Sequence, residues 1–139
     1  MNSYYIDLIE VKVTKDNVRW YLETTEEKLD MLNKVLDKTR SRGGKCISDR
    51  IAYTLILRLR TMEIIRRLIK KEDYSKRDFV RMIKGISGGT NAYERYLDVK
   101  NNLKDKNGVS LEEAERLYEY LKNELTSVKK LVKSMNKRG

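Results

Sequence analysis

The chain has 139 residues, with Lys+Arg 31 against Asp+Glu 21, one cysteine, no histidine and no proline. A domain of that size buries roughly two-thirds of its unfolded surface, enough for a core without disulfide or metal staples. The missing histidine excludes Ser-His-Asp and Cys-His catalysis, histidine acid–base chemistry and histidine-ligated zinc, while the lone Cys46 excludes an internal disulfide framework and suits a reducing compartment, the cytoplasm.

From Tyr4 to Val13 the second half alternates, with Ile9, Val11 and Val13 against Glu10, Lys12 and Thr14. That pattern predicts a half-buried strand or extended arm over 1–15, the only strand signal in the chain. One strand cannot satisfy its own ladder. Ile9, Val11 and Val13 would therefore meet a protein partner's sheet, or their own twins across a homodimer axis.

A single helical domain is expected over 16–139. Asp16 can cap a helix from about residue 17 to 38, whose apolar positions fall on two seven-residue ladders: Leu22, Leu29 and Leu36, and Val18, Thr25 and Leu32. Basic residues and then Gly43-Gly44 stop it. Ser48 opens a second helix, running to about residue 72. Ile51, Leu55, Met62, Ile65 and Ile69 fall within roughly 80° of its circumference, and Leu57, Ile64 and Leu68 form a second apolar arc. Apolar on two sides, this helix should be central. Its narrow polar window holds Arg60, Arg67 and Lys71, with Tyr53 alongside.

Ser75-Lys-Arg-Asp78 reads as a capping box for a short helix ended by Gly85, followed by a Ser87-Gly-Gly-Thr90 loop. A fourth helix spans about residues 91 to 103, with Tyr93, Tyr96, Leu97 and Val99 inward. Ser110-Leu-Glu-Glu113 caps the fifth and cleanest helix. There Leu111, Tyr118, Leu125 and Val132 repeat every seven residues, as do Ala114, Leu121, Val128 and Met135, before a basic tail from Lys129 that is expected to fray. The fold class is all-α: an antiparallel bundle of about five helices with an N-terminal strand or arm. No stretch approaches the ~18 apolar residues of a membrane span, and no basic segment precedes an apolar core as in a signal peptide.

Charge is segregated along this scaffold. Residues 38–84 hold 15 basic and 5 acidic residues, a net of +10, which equals the net charge of the whole chain because the flanks cancel. A localised basic region is the footprint of a polyanion site, although a solvated, thermophile-like surface gives the same count. The stripe Arg60, Arg67 and Lys71, continued by Lys76, Arg77, Arg81 and Lys84, supplies positive charge at phosphate-reachable spacing. Its plain alternative is a solvated face with Glu63–Arg67 paired across one turn. Arg58 falls inside the apolar arc, so it needs a counter-charge, with Asp98 or Glu94 as the available carboxylates, or else must snorkel. The Gly85-x-x-Gly88-Gly89-Thr90 loop could cradle an anion but lacks the lysine-serine ending of a P-loop, and a helix cap explains it equally. Tyr93, Tyr96, Tyr118 and Tyr120 could stack on bases or simply fill the core. Glu112, Glu113 and Glu115 suit a helix N-terminus, and no carboxylate set singles out a metal site, a cofactor or a catalytic pair.

Three stretches carry a resemblance: Arg50-x-x-Tyr53-x4-Arg58-Leu-Arg60, Tyr74-Ser-x3-Phe79, and Tyr93-x-x-Tyr96-Leu-x-Val-Lys-Asn101-Asn102. With Ser110-Leu-Glu-Glu-Ala-Glu-x-Leu117, they resemble the helical, substrate-binding or HEPN-like half of archaeal nucleotidyltransferase-domain proteins, over roughly residues 45–125. The nucleotidyltransferase signature (Gly-Ser, then spaced aspartates) is absent, and the HEPN ribonuclease histidine cannot occur. The resemblance thus implies a helical partner lacking both activities, with the N-terminal strand added to a nucleotidyltransferase subunit's sheet. The expectation is a non-catalytic helical binding module for a protein partner or substrate. The alternative is a basic, dimeric nucleic-acid-binding protein using Arg58 and the stripe through Lys84, and a third is an enzyme built on carboxylates and Arg58.

Overall fold

A computed structural model of the chain describes residues 13–89, 91–101 and 108–137. Helix α1 (Val18–Ser41) leads to the two-residue strand β1 (Cys46–Ile47), α2 (Asp49–Lys70), α3 (Lys76–Ser87), α4 (Asn91–Lys100), β2 (Val109–Ser110) and the long α5 (Leu111–Lys137). The protein is an all-α bundle. Helix α2 packs mainly against α4 and α5, while α1 and α3 pack on α5 from either side. No helix among the described residues is long and apolar enough to cross a membrane.

The heptad ladders are the bundle seams. The buried positions of α1 are Val18, Leu22, Thr25, Leu29, Leu32 and Leu36, the two expected ladders and nothing else. In α5, Ala114, Leu121, Leu125 and Val128 are buried as expected and Leu117 joins them, whereas Met135 is exposed and the helix continues to Lys137 instead of fraying at Lys129. Ser110 Oγ accepts the Glu113 N–H at 3.1 Å, and Ser75 Oγ accepts the Asp78 N–H at 3.2 Å, so both capping motifs act where expected.

Several boundaries differ for local reasons. Asn17, not Asp16, stands at the α1 N-cap, and its side chain accepts the upstream Thr14 N–H at 2.7 Å. Helix α3 passes through Gly85 and stops at Gly88, whose φ of +89° favours glycine. Helix α2 ends on Lys71 at φ +57°, where Lys71 and Glu72 donate to the Leu68 and Arg67 carbonyls, a Schellman turn closed without glycine. Strands β1 and β2 pair antiparallel, Cys46 opposite Ser110 and Ile47 opposite Val109. Two residues are too few to show an alternation, so neither strand was visible in the hydropathy pattern. The expected N-terminal strand, including Ile9 and Val11, lies outside the described residues. Val13 has no regular structure and packs against the core.

Polar ties fix how the helices sit. Arg66 on α2 grips Glu124 with two donors at 3.0–3.2 Å and also reaches Ser127 at 2.9 Å, locking α2 to α5. Arg116 of α5 donates to the Ile86 and Ser87 carbonyls at 3.2 and 2.6 Å, satisfying the open end of α3. Asp49, fully buried, accepts the Gly108 N–H at 3.1 Å and pairs with Arg95 of α4 at 3.7 Å. A Cβ at Gly108 would meet Arg95 Cδ at 2.7 Å, so a larger residue there would push the Arg95 side chain aside. These ties set α3 and α4 beside the middle of α2, where the basic residues gather.

Candidate phosphate-binding site

Helix α3 has a strongly divided circumference. Phe79, Ile83 and Ser87 are buried, facing α4 and α5. Arg77, Arg81 and Lys84 occupy about 60° of the other side at 100° per residue, and Lys76, the first residue of the helix, is exposed at its N-terminal end. These four line one shallow, open groove around Val80, all are exposed, and none is ion-paired within the described residues. Their charge is directed at solvent. The rest of the expected stripe behaves differently.

Arg67 is held by Glu63 at 2.9 Å and Glu72 at 2.7 Å, which raise its pKa and satisfy its charge at home. Lys71 is exposed at the α2 C-cap and lines a separate groove with Leu68, Ile69 and Met135. Arg58 does not form the expected pair. Asp98 binds Arg95 and Glu94 is exposed, while the buried Arg58 Nε has no partner. Burial lowers the Arg58 pKa, partly opposed by Tyr21. Arg58 does lie within the expected arc, since Leu55, Met62 and Ile65 on either side of it are fully buried; what fails is the pairing, because Arg95, one turn from Asp98, takes that carboxylate. Leu68, of the expected second apolar arc, is exposed.

Arg60 stands apart from all of these. It lines a cavity of about 120 Å³ with Tyr74 and Phe79 on one side, Tyr93 and Tyr96 from α4 on the other, and Lys76 and Lys100 completing it. The guanidinium is partly buried beside Tyr96 and Tyr74. Burial works against the charge, yet the electrostatic attraction of these two tyrosines outweighs it and leaves the Arg60 pKa above its ordinary value. No carboxylate of the described residues pairs with it. The aromatic wall is tightly built: Tyr53 stacks on Tyr96 at 5.2 Å between centroids, Tyr93 tilts against Tyr96 at 5.6 Å, and Tyr74 against Phe79 at 6.2 Å. Burial raises the pKa of Tyr74 and of Tyr93, with Arg60 opposing in both cases, so both remain O–H donors at neutral pH.

Of the four tyrosines singled out from the sequence, only Tyr93 and Tyr96 enter this cavity. Tyr118 faces the Asp30 and Asp37 side of α1, and the Tyr120 hydroxyl reaches Met82 Sδ at 3.7 Å. Gly88 and Gly89 serve the end of α3, where Ser87 Oγ donates to the Gly89 carbonyl at 2.8 Å. A second basic groove, formed by Arg19, Lys129, Lys130 and Lys133, escaped the sequence reading because its charges come from opposite ends of the chain. Two of its cations are already matched, Arg19 by Glu23 and Lys129 by Glu26. Compared with protein-family models, curated proteins and solved structures, the chain matches none.

Proposed function

We propose that the chain is a non-catalytic helical binding module whose α3 face holds the phosphate backbone of single-stranded nucleic acid. The observation that carries this reading is the contrast within the basic region. Arg67 is spent on internal carboxylates, whereas Lys76, Arg77, Arg81 and Lys84 share one exposed groove and have no ion-pair partner among the described residues. Phosphate neutralisation requires only such cations at reachable spacing, and it carries no base preference. The adjoining tyrosines suit the stacking that single strands use. The apolar groove of Val18, Leu68, Ile69, Val132 and Met135 is the surface a protein partner, such as a nucleotidyltransferase subunit, would cover.

The test is salt dependence. Four contacts to a single strand give a slope of log K against log salt of about −2.8. Fluorescence anisotropy with a labelled strand of about 20 nucleotides should show affinity falling about 50-fold from about 0.05 to about 0.2 M salt. Absent or salt-insensitive binding contradicts the reading.

A further inference from the structure

We propose that the cavity around Arg60 receives the terminal phosphomonoester of a nucleic-acid strand lying along α3, so that the protein recognises strand ends. This rests on the α3 reading given above. Three observations point to it.

First, Arg60 is a partly buried cation whose cavity is lined by tyrosines, Phe79 and two lysines and by no carboxylate, so an anion is the complement it lacks. Second, the chemistry around it matches a phosphate dianion: a guanidinium, the Lys76 ammonium, and the Tyr74 and Tyr93 hydroxyls that line the same space. Third, the size and the connection fit. A cavity of about 120 Å³ is several times what one water requires and has room for a phosphoryl group. Lys76 lines both this cavity and the α3 groove, so a strand whose end enters at Arg60 continues directly onto Arg77, Arg81 and Lys84.

An internal phosphodiester carries one negative charge and two ester substituents. A terminal phosphomonoester carries nearly two charges at neutral pH and only one substituent, so it suits a small cationic cavity better than an internal phosphodiester does. Tyr93 and Tyr96 wall one side of the cavity, with Tyr53 stacked on Tyr96.

The experiment compares three strands of identical sequence on the wild-type protein: one with a 5′-phosphate, one with a 3′-phosphate, one with hydroxyls at both ends. One phosphorylated strand should bind about tenfold more tightly than the hydroxyl strand, the gain expected of a charge-assisted site. Arg60→Gln should erase that preference while leaving the hydroxyl strand's affinity within about twofold. Tyr93→Phe, which keeps the ring and removes one donor, should weaken the preference in part. Equal affinity for all three strands overturns the end-recognition proposal and leaves the α3 reading standing. Failure to bind any strand overturns both.

Discussion

Asp49→Ala should lower the unfolding free energy by about 3 kcal/mol, the lower end of the cost of breaking a buried ion pair. Three features set that size. The carboxylate is fully buried, it accepts the Gly108 N–H at 3.1 Å, and it pairs with Arg95 at 3.7 Å. Removing it strands a backbone donor and takes one counter-charge from Arg95, which keeps Asp98 and so avoids the full penalty. It also removes an acidic group from the first turn of α2, where negative charge is favoured. In a chain of this length the loss corresponds to a fall of about 10 °C in melting temperature by circular dichroism. Asp49→Asn keeps an acceptor for Gly108 and should cost about half as much. A change below about 2 °C for Asp49→Ala would mean that the joint between α2, α4 and β2 does not bear on stability. Because α4 carries Tyr93 and Tyr96, loosening this joint should also weaken selection at the Arg60 cavity.

Arg77→Gln with Arg81→Gln should reduce single-strand affinity about 25-fold at about 0.1 M salt and halve the salt slope to about −1.4. Both side chains are exposed and unpaired in the described structure, and glutamine is as good a helix former as arginine, so the fold should be indifferent. Two of four phosphate contacts are lost, and with them two released counterions. Arg67→Gln, which removes one charge, is the control, to be compared with Arg81→Gln alone. The Arg67 charge is already met by Glu63 and Glu72, so its removal should leave the slope unchanged. Equal effects from Arg67→Gln and Arg81→Gln would show that net charge, not the α3 groove, governs binding.

Much of the scaffold could be read from spacing alone. The α1 ladders name every buried residue of that helix, and Ser75 and Ser110 mark two helix starts, because heptads and caps are local properties of the chain. The Glu63–Arg67 pair was legible for the same reason, being one helical turn apart. What was not legible depends on packing between helices. Arg60, Tyr74 and Tyr96 come from three separate segments, and nothing in their spacing says that they meet. Arg58 is aimed inward by an arc holding Leu55, Met62 and Ile65, and that arc is buried, but spacing within α2 says nothing of which carboxylate of α4 is free to meet it, and Arg95 holds Asp98. The basic stripe likewise looked continuous in sequence, but Glu72, just past the end of α2, removes Arg67 from it.

The measurement that bears most directly on this account is amide chemical-shift mapping of the protein titrated with the preferred phosphorylated strand. The largest shifts should fall over residues 74–87 of the α3 segment and 93–100 of α4, with Arg60 included. Shifts concentrated instead on Arg19 and Lys129–Lys133, the other basic groove, would contradict it.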